Sequence, residues 1–307
     1  MRILLQFPEG LKKEALSHAA RLSAKGNEVF LSASACYGAC DLALDEARAV
    51  KAKKLIHFGH AEFMDVRVPG LKVEYVPYYA TLDWNATGAM LKKAASILHA
   101  SGAKKLALVF PVQHLKNAEK VEKMLQDEGF TVALGKGGSH VRHAGQVLGC
   151  DGTAAYSGEA KGADTVVYFG GGKFHPTGIP SGKMVLCADP HLQDAYWITD
   201  EILRAEKRRN GALLAASEAR TFGILLSTKN GQFNLPGAQL AKKLLEKKGR
   251  RAEIVVANEF SPLALANFLS FDAYINTACP RIVDDREAYG KPVVNIADIR
   301  RLLEIMV

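Results

Sequence analysis

The sequence predicts an α/β protein made of three similar small parallel-sheet domains with flanking helices, arranged around a central cleft. Three observations carry this. An apolar run, an amphipathic helix, a glycine and a second apolar run recur three times along the 307 residues. The apolar runs lack polar alternation, as strands buried on both faces do. Each repeat is then followed by two more short apolar runs, enough for a four-stranded parallel sheet.

In the first copy "RILLQFP" is the opening strand, and "EGLKKEALSHAARLSAKG" is a helix with Leu11, Ala15, Ala19 and Leu22 on one face. "NEVFLSA", "KKLIHFGH" and "KVEYVPYY" complete the sheet. The second copy reads "KKLALVFP", "HLKNAEKVEKMLQDEG", "FTVALG", "DTVVYFGGG" and "KMVLCADP", with Ala118, Val121 and Leu125 as the packed helical face. The third reads "TFGILLST", "LPGAQLAKKLLEKKG", "RRAEIVVAN", "DAYINTACP" and "KPVVNIAD", with Leu240 and Leu244 sharing a face. Gly26, Gly129 and Gly249 occupy equivalent places, each ending a helix where a left-handed residue is wanted. The domains are expected at 1–97, 98–209 and 210–307, the second boundary marked by the polar "EKRRNG".

No apolar run approaches the ~18–20 residues of a membrane span, and Pro8 and Glu9 interrupt "MRILLQFPEG" too early for a signal peptide. A cytoplasmic protein without a membrane partner is expected. The net charge of +8 and pI near 9.1 come from lysines on helix faces such as "KKLLEKKGRR", which read as solvated surface rather than a nucleic-acid footprint.

Chemistry concentrates on the cysteines at 36, 40, 150, 187 and 279, whose odd number and wide scatter oppose a disulfide framework. Cys36 and Cys40 stand four apart, as in the first half of the CxxxCxxC signature of radical S-adenosylmethionine enzymes, but Ala43 replaces the third cysteine. The repeat suggests where the other ligands lie. Cys36 and Cys40 follow the second strand of the first domain, Cys150 follows the second strand of the second, and Cys279 ends the third strand of the third. All are on loops at carboxyl edges, where open parallel sheets place functional groups. One cysteine per domain would give three thiolates to a 4Fe-4S cluster and leave one iron open for substrate. Spacing does not choose between Cys36 and Cys40, although Cys40 precedes an apparent helix, "DLALDEARAVKA", whose start would stabilise a thiolate. Cys187 lies in an apolar strand and reads as core. Zinc at His140, His143 and Cys150 is a competing metal reading. Gly170, Gly171 and Gly172 at a strand end let backbone amides approach a ligand, and His57 and His60 hold the matching place in the first domain.

"PEGL", "YGAC", "HFGH", "VLGC", "GGGKFHP", "KNGQ" and "ACPR", in this order from Pro8 to Arg281, resemble the archaeal diphthamide-synthesis family of 3-amino-3-carboxypropyl transferases. The resemblance implies Cys40, Cys150 and Cys279 as the ligands of a 4Fe-4S cluster, and leaves Cys36 without a role. It implies S-adenosylmethionine as substrate, cleaved to methylthioadenosine and a 3-amino-3-carboxypropyl radical that adds to a histidine imidazole carbon of translation elongation factor 2. It also implies an electron donor and a homodimer. No catalytic residue is assigned beyond the cluster. Contacts to S-adenosylmethionine are expected from Gly59, His60, Gly171, Gly172 and Gln232, with Pro8 and Glu9 as further candidates. Rival readings are a trilobal iron-sulfur enzyme such as quinolinate synthase or the reductase of isoprenoid synthesis, and a non-catalytic electron-transfer or scaffold subunit.

Overall fold

The computed structural model describes residues 1–180 and 182–306, and the chain forms two compact units, Met1–Asp200 and Glu201 onward.

The first unit holds two sheets. The first consists of β1 (Arg2–Gln6), β2 (Glu28–Leu31), β3 (Lys54–Gly59) and β4 (Lys72–Pro77), ordered β2-β1-β3-β4 and parallel throughout. Neighbouring residues alternate faces, so Leu4 and its register partner Leu55 pack toward helix α2 (Leu44–Ala49). Leu5 and its partner Ile56 pack on the other side, with Ala15, Ala19 and Leu22 of helix α1 (Ala15–Ser23). Apolar burial on both faces explains why these strands show no polar alternation.

The second sheet consists of β5 (Lys105–Val109), β6 (Thr131–Ala133), β7 (Thr165–Phe169), β8 (Met184–Asp189) and β9 (Asp194–Trp197), ordered β6-β5-β7-β8-β9. Helix α3 (Trp84–Ala100), capped by the Asp83 carboxylate at the Asn85 and Ala86 amides, buries Met90, Leu91 and Leu98 with Leu106, Leu108 and Val167. Helix α4 (Ala118–Asp127) adds Val121 and Leu125 to the same core. Strand β9 lies outside the repeat. It runs antiparallel to β8 across a turn in which Asp189 Oδ1 accepts from the His191 and Leu192 amides at 2.9 and 3.1 Å.

Helix α5 (Thr199–Ser217) leads into the second unit. There β10 (Thr221–Ser227), β11 (Arg251–Ala257), β12 (Ala273–Asn276) and β13 (Val293–Asn295) repeat the order of the first sheet as β11-β10-β12-β13, again parallel. Helices α6 (Leu235–Lys247), α7 (Pro262–Ala266), α8 (Arg286–Tyr289) and α9 (Ile299–Ile305) flank it. Ala238, Ala241 and Leu245 of α6 and Leu302 of α9 bury against Phe222, Ile224 and Ile275.

Gly26, Gly129 and Gly249 all adopt positive φ, at 77°, 92° and 71°, as a left-handed helix stop requires. The helices of the first two repeats open with 3-10 turns, Glu9–Glu14 and Val112–Asn117. "DLALDEARAVKA" is helical only from Leu44 to Ala49. Its start is delayed because the Asp41 carbonyl, an acceptor that a longer helix would use internally, is taken by the Gln6 amide, and Lys51, at φ 54°, follows its end. A helix of this length, beginning beyond Asp41–Ala43, does not supply Cys40 with the helix-terminus field expected from sequence. Residues 97 and 98 lie within α3, and 209 and 210 within α5, while each sheet falls whole inside one of the parts 1–97, 98–209 and 210–307.

Candidate metal centre

The first unit gathers its chemistry at the carboxyl ends of β1 and β3. Gln6, the last residue of β1, is 1 % exposed and reaches across to the loop that carries Cys40. Its amide nitrogen donates to the Asp41 carbonyl at 2.6 Å, and its Oε1 accepts from the Ala43 amide at 3.1 Å. One buried side chain thus fixes the backbone on the far side of Cys40. On the near side the Asp41 amide closes a turn onto the Gly38 carbonyl at 3.0 Å.

Gln6 Oε1 also meets His57 Nδ1 at 2.9 Å. Because the amide nitrogen of Gln6 is committed to Asp41, this contact is a donation from His57 Nδ1–H. Burial pushes the His57 pKa down to about 3 and that of His60 to about 4, so both rings are neutral. His57 Nε2 then presents a lone pair to His60 Nδ1, 2.9 Å away. Cys36, 3 % exposed, completes a group whose ligand atoms lie within 4.8 Å of one another, and burial, with Asp41 nearby, pushes its thiol up to about 12.

Gly59 lies between these histidines at φ 91°, and a β-carbon there would sit 2.7 Å from Pro8 Cγ. Its glycine is therefore required by backbone conformation and by the approach of Pro8. Glu9 pairs with Lys12 at 2.7 Å.

Cys150 sits exposed at the tip of a tight turn in which Leu148 and Asp151 exchange backbone hydrogen bonds of 2.9 and 3.2 Å. A β-carbon at Gly149 would run into the Phe174 ring, so this turn packs against the glycine-rich loop. The segment preceding it docks on the first sheet's edge. His140 stacks on Phe63 at 4.2 Å, and Arg142 pairs with Glu62 at 3.1 Å. A cavity of about 600 Å³ opens there, lined by Glu62, Met64, Tyr75, Pro77, Arg142 and His143. Among the described residues the buried Tyr75 hydroxyl has no hydrogen-bond partner, and burial, with Glu62 and Cys40 nearby, raises its pKa to about 12. It remains a protonated donor beside Cys40.

Within the glycine-rich loop, the Gly172 amide donates to Asp189 Oδ2 at 3.3 Å, and a β-carbon at Gly171 would sit 2.9 Å from His191. The Asp189 carboxylate, 1 % exposed, therefore already engages one of the amides expected to meet a ligand. Cys187 is fully buried in β8, as its apolar setting predicts. Among the described residues, His140, His143 and Cys150 do not converge on a shared ligand position, because His140 is taken up by Phe63; the grouped donors are Cys36, His57 and His60.

In the second unit Cys279 follows β12, and the loop is held by side-chain amides. Asn276 Nδ2 donates to the Cys279 carbonyl at 2.8 Å and to Asn295 Oδ1 at 2.7 Å, while Asn295 Nδ2 donates to the Pro280 carbonyl at 3.0 Å. Burial raises the thiol pKa, opposed by the Arg281 amide and guanidinium and by Lys229. Gln232 lies in the loop after β10, its amide donating to the Lys229 carbonyl at 2.9 Å.

Cys40, Cys150 and Cys279 stand on carboxyl-edge loops. Soft sulfur donors, which become thiolates on binding metal, with a phenolic donor beside one of them suit an iron-sulfur cluster. Sequence reasoning missed Gln6 and Tyr75. A glutamine ending the otherwise apolar run "RILLQF" was the available signal for the first; nothing in "KVEYVPYY" singles out the second.

The family model described as "diphthamide synthesis protein" matches residues 7–305. The 2-(3-amino-3-carboxypropyl)histidine synthase of Pyrococcus horikoshii is 35 % identical over 306 residues, covering 98 % of this chain and 85 % of the relative. The enzyme of that name from Methanocaldococcus jannaschii is 28 % identical, covering 99 % and 84 %. The crystal structure of Dph2 from Pyrococcus horikoshii with a 4Fe-4S cluster superposes with a TM-score of 0.87 at 34 % identity, over 99 % of this chain and 86 % of that one. With a match along nearly its whole length and the same α/β architecture, the chain belongs to the diphthamide synthesis family.

Proposed function

We propose that this chain is a 2-(3-amino-3-carboxypropyl)histidine synthase, a transferase that moves the 3-amino-3-carboxypropyl group of S-adenosylmethionine to a histidine imidazole carbon of translation elongation factor 2. The observation that carries the reading is the family match together with a cysteine on a carboxyl-edge loop of each sheet. Cys40, Cys150 and Cys279 would hold the 4Fe-4S cluster. That group, when bound and reduced, supplies the electron that cleaves the sulfonium to methylthioadenosine and the aminocarboxypropyl fragment.

The chain's own residues bind and orient. Gln6 sets the Cys40 loop, and the Tyr75 hydroxyl offers a hydrogen bond beside Cys40 without carrying charge. Gly59, His60, Gly171, Gly172 and Gln232 are assigned to S-adenosylmethionine, with His60 as the side chain best suited to a directional bond. The neutral imidazole and the burial-raised phenol add no charge of their own to this surface. The reading includes a homodimer, an external electron donor, a cytoplasmic setting and three repeats at 1–97, 98–209 and 210–307. Among the described residues no helix is long and apolar enough to cross a membrane.

The test is anaerobic incubation of the reduced chain with elongation factor 2 and S-adenosylmethionine labelled in its aminocarboxypropyl carbons. Label on the histidine and methylthioadenosine in equal amounts are expected. Condensation of iminoaspartate with dihydroxyacetone phosphate would replace the reading, and an intact cluster without turnover would return it to an electron-transfer subunit.

A further inference from the structure

Cys36, His57 and His60 take no part as metal ligands in the reaction proposed above, yet they are the tightest convergence of ligating atoms among the described residues. We propose that they form a separate mononuclear site for a divalent ion of the zinc type, with a fourth coordination position left open. The proposal does not depend on the transferase reading.

Four observations lead to it. One sulfur and two imidazole nitrogens within 4.8 Å of one another are the donor mixture that zinc and cobalt favour. His57 is oriented as a ligating histidine usually is. Its Nδ1–H donates to an oxygen, Gln6 Oε1, at 2.9 Å, which directs the Nε2 lone pair toward His60. The orienting oxygen is itself fixed, since Gln6 holds Asp41 and Ala43 with its remaining bonds. Finally, the two nitrogens that share one proton at 2.9 Å can, once that proton moves to the other nitrogen of His60, both turn lone pairs to an ion lying off their line of approach, the rings parting slightly to admit bonds of ~2.0–2.1 Å. In that arrangement the His60 proton resides on Nε2, and Nδ1 becomes the ligand. His60 Nε2–H then remains available for the substrate contact proposed above. On coordination Cys36 loses its thiol proton to solvent and binds as thiolate, so the ion replaces a proton in this buried group.

The three donors come from two segments: Cys36 from the loop after β2, and the histidines from the end of β3 and the residue beyond it. An ion would tie that loop to the centre of the first sheet. The spacing His57-x-x-His60 with a cysteine 21 positions earlier matches no compact zinc module, so the pattern is visible only once β1, β2 and β3 lie side by side.

The experiment uses the full chain with Cys40, Cys150 and Cys279 all replaced by alanine, which removes the proposed cluster ligands and keeps Cys36 and Cys187. Cobalt(II) is titrated in, and the near-ultraviolet thiolate-to-cobalt charge-transfer band is read together with circular dichroism. One ion per chain with a thiolate band, displaced by zinc, is expected. Adding Cys36→Ser should abolish the band, and Cys187→Ala should leave it. Should Cys36→Ser lose native dichroism, His60→Ala in the same background gives the second reading, an affinity loss of at least ~10-fold. A natively folded triple variant that binds no stoichiometric cobalt, a band surviving Cys36→Ser, or an affinity unmoved by His60→Ala overturns the proposal. None of these outcomes bears on carboxypropyl transfer, which is measured on the chain with its three loop cysteines intact.

Discussion

Replacing Gln6 with leucine tests whether one amide fastens the Cys40 loop. The two side chains are close in size, so the change removes polarity without opening a cavity. Three hydrogen bonds disappear: 2.6 Å to the Asp41 carbonyl, 3.1 Å from the Ala43 amide and 2.9 Å from His57 Nδ1. Gln6 and His57 are buried, at 1 % and 0 % exposure, so the abandoned partners cannot simply turn to water. At about 1–3 kcal/mol per orphaned group, and allowing the loop to relax, the loss should be about 3 kcal/mol or more. For a unit of this length that is a fall in melting temperature of ~6–12 °C. Calorimetry of the metal-free protein provides the measurement. Iron content after anaerobic reconstitution should fall with it, because the backbone flanking Cys40 is no longer held. A melting temperature within ~2 °C of the parent, with full iron occupancy, would refute the claim that Gln6 carries this loop.

Alanine at Cys40, Cys150 or Cys279 should each cripple cluster incorporation, whereas Cys187→Ala, in the closed core of β8, should keep iron and sulfide at parental levels; metal analysis with absorption spectroscopy separates the two classes. Gly59→Ala should lose about 2–4 kcal/mol in urea unfolding, from a side chain at φ 91° together with contact against the rigid Pro8 ring; a loss below ~0.5 kcal/mol would contradict the close approach. His114, 1 % exposed, has its pKa pushed down to about 4, chiefly by burial. Below pH 6.5 the unfolded chain takes up a proton that the folded one refuses, so stability should drain away as pH falls from 6.5 toward 4. His114→Leu should make that acid limb shallower by the share of one histidine, His57 and His60 keeping theirs, read as urea midpoints across the interval, and an unchanged slope would sink the assignment.

The strands were legible because apolar runs such as "KKLIHFGH" and "DTVVYFGGG" contrast sharply with their lysine-rich helices, and Gly26, Gly129 and Gly249 mark the helix ends. Strand β9 was not, since "DAYW" carries no repeat partner and its antiparallel pairing depends on a turn organised by the Asp189 side chain. The helix after Cys40 looked longer than it is, because local propensity cannot register that the Asp41 carbonyl is engaged by a glutamine 35 residues earlier. Cys40 was named through the family resemblance, and spacing alone had left Cys36 equally placed. What distinguishes them is burial: Cys36 is enclosed with two histidines, while Cys40 stays partly accessible. Glycines expected to receive a ligand turn out to serve the backbone as well, Gly59 against Pro8 and Gly172 through Asp189. Such double service is invisible to composition.

Gln6, Asn276 and Asn295 share a property with an electrical consequence. Each clamps a cysteine-bearing loop by a carboxamide, a group that can both give and receive hydrogen bonds while carrying no net charge. Clamps made of aspartate or lysine would pull or push on every electron arriving nearby, and an aspartate would also slacken with acidity. Neutral ones add no charge of their own to that encounter, so their hold on the sulfur-bearing turns does not depend on a charge balance.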